Sequence, residues 1–340
     1  MAEWEEMSDG AMAVRVSTGA RLHFGLFDVK APFGGVGMMV DHPRTAVTVC
    51  SAEGFETKPC SVGRITEVAH RIAARLPDSL VQNGLPKCKI TVEAAADSHC
   101  GLGSGTQLSL AATTALAEFF GLKISRDELV YDIAVRGRRS SIGSIGFFAG
   151  GLISESGTIP PGGLETNNGP DSSRPLSPGW KRTTLPEDWR VIMACPKSDA
   201  ACVYGEAEGA AFATLQAATP GHRADLAKLS EAILGASAMG DFDEFCLSVG
   251  KFNRLSGELF SMLQGGCYNG QAVNQLVKRL ESLGADGAGQ SSWGPSVFGF
   301  CRTESEAKTV CDSLDEIACR VVKPVRTGYL LERIPKTSCK

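Results

Sequence analysis

The stretch His99-Cys100-Gly101-Leu102-Gly103-Ser104-Gly105-Thr106-Gln107-Leu108 packs three glycines into five positions and runs straight into an Ala- and Leu-rich segment. Upstream, Lys89-Ile90-Thr91-Val92-Glu93 alternates as a strand does, and downstream, residues 108–120 carry few helix breakers. The order strand, glycine loop, helix predicts an anion cradle. Glycine lets the backbone approach a ligand, and the first-turn N–H groups of a helix lack intrahelical acceptors and point toward it at the positive end of the dipole. Gly101, Leu102, Gly103, Ser104, Gly105, Thr106 and Gln107 are therefore the expected phosphate-binding residues. Neither common nucleotide signature is present: Thr106 stands where the third glycine of Gly-x-Gly-x-x-Gly would fall, and no Gly-Lys-Ser/Thr follows.

A chain of 340 residues exceeds one ordinary domain, so two domains sharing a cleft are expected. With 43% hydrophobic and 21% charged residues and a net charge of -4, the composition is that of a soluble globular protein, with no basic excess to favour nucleic acid. Residues 1–12 read as a disordered tail; the first ten hold Glu3, Glu5, Glu6 and Asp9 and no basic group, the reverse of a signal peptide's start. No run reaches the roughly 18 to 20 apolar residues of a membrane span. The twelve cysteines show no Cys-x-x-Cys spacing and most sit in apolar runs, which predicts buried free thiols and a cytoplasmic location.

Before the loop, Val14-Arg15-Val16-Ser17-Thr18 begins as a strand and continues into Gly19-Ala20-Arg21-Leu22-His23-Phe24-Gly25-Leu26-Phe27-Asp28. This is either a half-buried strand with solvated charges or a substrate wall carrying Arg21, His23 and Asp28. A glycine turn then enters an apolar strand ending at Asp41-His42-Pro43, and residues 65–76 form one face of an amphipathic scaffold helix. After the loop helix, Ser125-Arg126-Asp127-Glu128 is a capping box. It leads to Arg136-Gly137-Arg138-Arg139-Ser140-Ser141-Ile142-Gly143, where Arg138, Arg139 and Ser140 suit a second phosphate or carboxylate clamp. The competing reading is a solvated basic helix end. Residues 157–179 are dense in Pro, Gly, Ser and Asn and mark a long loop or hinge, dividing a domain at 13–185 from one at 186–335. In the second, Gly287-Ala288-Gly289-Gln290-Ser291-Ser292-Trp293-Gly294-Pro295 is a third glycine-rich loop.

Three glycine-rich segments in this order resemble the GHMP kinase superfamily over nearly the whole chain. Gly101-Leu102-Gly103-Ser104 is similar to its phosphate loop, although Gly105-Thr106 replaces the Ser-Ala that follows there. The blocks Ala20-Arg21-Leu22-His23-Phe24-Gly25-Leu26, residues 101–108, Gly137-Arg138-Arg139-Ser140 and Gln290-Ser291-Ser292-Trp293-Gly294-Pro295 resemble one non-kinase branch more closely, the β-ribofuranosylaminobenzene 5'-phosphate synthases. The fold this implies is α+β, GHMP kinase-like and two-domain: a ribosomal protein S5 domain 2-like N-terminal domain and a ferredoxin-like α/β sandwich. The active cleft is expected between the loop at 101–106 and the loop at 287–296.

The resemblance implies condensation of phosphoribosyl pyrophosphate with 4-aminobenzoate, or a relative such as 4-hydroxybenzoate. Carbon dioxide and pyrophosphate are lost, and the product serves tetrahydromethanopterin biosynthesis. It further implies a homodimer with Mg²⁺, and no ATP, pyridoxal phosphate or thiamine. The chemistry assigns Asp28, Arg21 and His23 as catalytic residues, and Asp28 and Asp41 as candidate Mg²⁺ ligands or stabilisers of an oxocarbenium-like sugar. Phe24, Gln290, Ser291, Ser292 and Trp293 are the expected substrate-binding residues. Residues 140–151, where GHMP kinases commonly carry a catalytic Asp, contain no acid, which counts against an ATP-dependent kinase. That kinase and a noncatalytic phosphometabolite-binding protein are the alternatives.

Overall fold

Two long antiparallel strands, β1 (Met12–Leu26) and β2 (Gly35–Ser51), carry the first layer. Their register shifts between Thr18 and Ala20, and the shift changes which core the even-numbered side chains enter. Val14 and Val16 pack into one core, whereas Ala20, Leu22 and Phe24 pack into another. A single unpaired residue reverses the alternation of a pleated strand. The site-bearing half of β1 therefore faces the second layer.

The structure, a computed structural model, describes residues 12–59, 63–137, 139–156, 179–196, 205–315 and 317–335. After β2 come β3 (Glu56–Lys58), α1 (Gly63–Ala73), the short ladder β4 (Val81–Gln82) and β5 (Leu85–Pro86), β6 (Cys88–Ala94) and α2 (Ser104–Phe119). Ser125 caps α3 (Arg126–Glu128) by accepting from the Glu128 N–H, as its capping box predicts, and the helix continues as a π-turn over Leu129–Ile133. Next are α4 (Ile142–Ala149), β7 (Leu152–Glu155) and β8 (Trp180–Thr183). The second layer is built from β9 (Arg190–Cys195), α5 (Gly205–Thr214), α6 (Pro220–Met239), α7 (Phe242–Glu258), α8 (Ser261–Gln264), α9 (Gly270–Ser282), β10 (Asp286–Gln290), β11 (Val297–Cys301), α10 (Glu304–Asp312) and β12 (Ala318–Val322). The last strand is β13 (Leu330–Pro335).

The architecture is α+β. One seven-stranded sheet runs β13-β1-β2-β6-β3 with β7 and β8 continuing from β2, and a four-stranded antiparallel sheet runs β10-β11-β9-β12. Leu22, Phe24, Phe245, Phe252, Phe298 and Phe300 share one buried core, so the two layers are joined by apolar packing and not by a linker alone. The chain division at 185/186 falls between β8 and β9, but the expected second domain, 186–335, does not extend to its end. β13 crosses back and pairs with β1, because its alternating side chains complete the open edge of the first sheet.

Two further expectations fall differently. Cys311 and Cys319, at the end of α10 and in β12, are joined by a disulfide with Cα atoms 5.7 Å apart, so not every cysteine is a free thiol. Residues 287–289 belong to strand β10, and the loop proper is the turn after it. The tail at 1–11, nearly all of the hinge segment at 157–179, and Arg138 lie outside the described residues.

Candidate functional site

Gly103 opens α2 in the left-handed conformation, with φ 69°, and no side chain caps that end. The Thr106 and Gln107 N–H groups reach the Gly103 carbonyl, while those of Ser104 and Gly105 precede any possible intrahelical acceptor. No acid lies in the first turn to offset the dipole. Two arginines stand there instead. A Cβ on Gly103 would fall 2.9 Å from Nε of Arg21, and one on Gly105 would overlap the guanidinium of Arg64, so glycine at both positions is what lets the cations close on the helix end. Neither side chain has an ion pair among the described residues. Burial lowers the pKa of Arg21 to about 10, with Glu208 and Glu155 acting in the opposite direction, and burial also lowers that of Arg64. Both remain cations at neutral pH. Cations at the positive end of a helix are disfavoured unless an anion joins them. Arg64 was not singled out from the sequence, which reads α1 as scaffold; the signal was an arginine at the start of an otherwise apolar-faced helix, with the charge of Glu67, three residues on, acting on it without an ion pair among the described residues.

Three segments meet at the loop. The Arg21 N–H donates to the Leu102 carbonyl at 3.0 Å, the Ser291 hydroxyl donates to the Gly101 carbonyl at 2.7 Å, and the same Ser291 Oγ accepts from the His23 N–H at 3.0 Å. Ser292 N–H donates to the His23 carbonyl at 3.1 Å. α7 secures this junction: Asn253 bonds the Phe24 carbonyl and both backbone groups of Gln290, and the Ser256 hydroxyl bonds the Leu26 backbone. The loops at 101–106 and 290–296 are thus adjacent.

A cavity of about 280 Å³ opens at this junction. Arg21, His23, Thr106, Arg136, Arg139 and Ser140 line one part of it, and Leu26, Phe212, Phe260 and Trp293 another. Arg139 pairs with Glu208 at 3.1 Å and lies 4.4 Å from the Phe212 ring centroid, and the Trp293 indole N–H donates to the same Glu208 at 3.2 Å. α5 therefore closes this side through a carboxylate and an aromatic face. Phe260 and Trp293 meet edge to face, with ring centroids 4.9 Å apart.

Several expected residues do other work. Asp28 does not line the cavity: its carboxylate accepts from the Lys30 and Ala218 N–H groups and pairs with Arg223 at 3.2 Å, anchoring the end of β1 to α6. Asp41 accepts from the Lys323 N–H at 2.8 Å and lies against Gly19, on the order of 25 Å along β1 from Asp28. The two acids do not converge, and among the described residues no group of three or more His, Cys, Asp or Glu is placed to hold a metal ion. The expected Mg²⁺ ligand set therefore does not fit. Gln107 is buried and bridges Thr18 to the Gly143 carbonyl, so it braces β1, α2 and α4 and does not face an anion. Phe24, Gln290 and Ser292 do line the cavity, though the Phe24 ring also packs against Phe298 and Phe300 in the core and the Gln290 side chain bonds Asn269 and Ser292. Ser291 is fully buried as the staple between loops.

Ser140 faces His23: its Oγ is 3.0 Å from Nε2. Burial, aided by the charge of Arg21, holds the His23 pKa well below the ordinary imidazole value, so the ring is neutral. The acid absent from residues 140–151 arrives by tertiary folding. Glu155, at the end of β7, accepts from the Ser141 N–H at the start of α4, and burial raises its pKa against the hydroxyls and amides around it. It sits behind Ser140 and does not line the cavity, so it cannot itself take a proton from a bound alcohol.

Residues 64–149 match the GHMP kinases N terminal domain and residues 234–319 the GHMP kinases C terminal domain. The β-ribofuranosylphenol 5'-phosphate synthase of Methanothermobacter thermautotrophicus is 31% identical over 314 residues, covering 89% of this chain and 92% of that protein. Its namesake in Archaeoglobus fulgidus is 29% identical over 309 residues, covering 88% and 91%. The fold matches that of homoserine kinase from Cytophaga hutchinsonii with a TM-score of 0.64 at 15% identity, over 94% of this chain and 97% of that one. Among the described residues no helix is long and apolar enough to cross a membrane.

Proposed function

Because the chain belongs to the β-ribofuranosylphenol 5'-phosphate synthase family, within the GHMP fold, we propose that it joins phosphoribosyl pyrophosphate to a para-substituted benzoate, with loss of carbon dioxide and pyrophosphate. One observation carries the reading: two desolvated arginines without ion pairs stand at an uncapped helix N-terminus, beside a cavity whose other part is aromatic. That is a site for a polyanion next to a flat ring. Arg21, Arg64 and the amides of Ser104 and Gly105 hold the pyrophosphate and take up the charge that develops as it leaves the anomeric carbon. Phe260 and Trp293 border the arene, and Arg139 faces its carboxylate, sharing its charge between that group and Glu208.

The arene attacks through the ring carbon that bears the carboxylate. Its para substituent donates electrons to that carbon, and breaking the bond to the carboxylate restores aromaticity. A hydroxyl and an amine both serve as donor; the relatives' name, a ribofuranosylphenol, favours 4-hydroxybenzoate over 4-aminobenzoate.

The test is release of labelled carbon dioxide from carboxyl-labelled 4-hydroxybenzoate and 4-aminobenzoate in parallel, with phosphoribosyl pyrophosphate, with and without ATP. Release that is independent of ATP supports the reading. No release from either acid, together with ATP consumption on a small alcohol, would replace it with a kinase.

A further inference from the structure

Glu208 offers one carboxylate to two donors of the cavity wall. Its Oε2 lies 3.1 Å from Nη1 of Arg139, and its Oε1 accepts from the Trp293 indole N–H at 3.2 Å, so each oxygen takes one donor. All three residues line the cavity, and so do Phe212 and Phe260, whose ring centroids lie 5.8 and 4.9 Å from that of Trp293. A guanidinium and an indole N–H that grip one carboxylate beside aromatic rings are what recognition of an aromatic acid requires. Here the chain's own acid fills them.

The donors are fixed and the acceptor is not. The Arg139 guanidinium lies over the Phe212 ring, 4.4 Å from its centroid, and Phe212 is buried in a cluster with Leu26, Val29 and Leu215. The Trp293 carbonyl accepts from the Asn269 side chain at 3.0 Å, and its ring packs edge-on against Phe212 and Phe260. α5 is tied down at its other end, where the Lys30 ammonium donates to the Phe212 and Ala213 carbonyls at 3.0 and 3.3 Å. The Glu208 side chain, by contrast, is 30% exposed and its Arg139 partner 33%, and an ion pair this open is held weakly. The carboxylate can turn to water while both donors and the helix stay in place.

We propose that Arg139 and the Trp293 N–H are the subsite for the arene's carboxylate, that Glu208 is its resident competitor, and that the substrate binds by exchange. The identity of the arene rests on the reaction proposed above. Its carboxylate takes the two donors while Glu208 turns toward solvent, still within the field of Arg139. The exchange swaps one set of charge-assisted contacts for another, and the ring adds apolar contact with Phe260 and Trp293. A phenol without the carboxylate gains neither donor, and moving Glu208 aside for it would leave both unpaired. Once carbon dioxide has left, the product no longer holds the donors, and Glu208 returns to them. Glu208 thus lowers the affinity for the acid by the strength of its own weak pair and reclaims the subsite after each turnover.

The experiment is calorimetric binding of 4-hydroxybenzoate and of phenol to the full chain, as wild type, Glu208→Gln and Arg139→Gln. The wild type should bind 4-hydroxybenzoate at least about tenfold more tightly than phenol, the scale of hydrogen bonds to a charged group. Glu208→Gln should bind 4-hydroxybenzoate about three- to fivefold more tightly still, the most that a half-exposed ion pair can return, with phenol within about twofold of wild type. Arg139→Gln should bring 4-hydroxybenzoate down to the level of phenol. Unchanged or weaker binding of the acid to Glu208→Gln would overturn the exchange, as would an equal gain for phenol or a wild type that does not prefer the acid. The carbon dioxide assay separates this from the reaction itself. The expected binding pattern without carbon dioxide release keeps the subsite and removes the transferase, whereas release with no gain in Glu208→Gln removes the exchange only.

Discussion

The two sets of arginines around the cavity live in opposite electrostatic settings. Arg139 has a carboxylate at 3.1 Å and an aromatic face at 4.4 Å; Arg21 and Arg64 have no ion pair among the described residues, only the charges of Glu208 and Glu155 acting on the first and of Glu67 on the second, and they stand at a helix end whose dipole repels them. The first arrangement is satisfied as it stands and closes one side of the cavity. The second is incomplete, since desolvating a cation without a partner costs free energy that a bound polyanion would return. Uncompensated charge, more than the density of glycines, marks where the phosphates go.

This contrast can be broken in order of expected effect. Arg21→Ala should lower kcat/KM by about 10² to 10³, the scale of losing one donor to a developing oxyanion, measured in the labelled carbon dioxide assay. A loss below tenfold would remove Arg21 from the leaving-group site. Arg64→Gln should weaken inorganic pyrophosphate binding about tenfold by calorimetry. The ligand-free protein should be unchanged or more stable by about 0.3 to 1 kcal/mol, since a repelled cation has gone from the helix end. A drop in ligand-free stability would mean that Arg64 is structural. Asp28→Asn sharpens the contrast from outside the cavity: it should cost about 1 kcal/mol in denaturant unfolding, through the bonds to Lys30, Ala218 and Arg223, with kcat nearly unchanged. A large fall in kcat at wild-type stability would return Asp28 to catalysis. The smallest effect belongs to the satisfied pair. A double-mutant cycle of Arg139→Gln and Glu208→Gln should give a coupling of 1 kcal/mol or less, about the ceiling for a half-exposed ion pair. A coupling several times larger would show that this pair is organised like a buried one.

The pattern of the chain was enough for the local elements. The strand before the loop, the helix after it, and the Ser125 cap follow from alternation, glycine placement and side-chain reach within four residues, all properties of neighbours in sequence. Arg21, His23, Arg139 and Trp293 were legible as candidates because their residue types are unusual in their settings, and the cavity gathers all four. What could not be read was whether a charge is compensated. Asp28 looked like a catalytic acid until α6 delivered Arg223 to it across 195 positions, and residues 140–151 looked acid-free until β7 turned Glu155 back onto Ser141. Arg64 looked like scaffold until α1 docked against α2 and placed it on Gly105. Hydrogen bonding and desolvation act between atoms within a few ångströms whatever their separation along the chain. The sequence therefore disclosed which groups exist and which elements carry them, and packing between the layers settled which of those groups still lack a partner and so remain able to bind one.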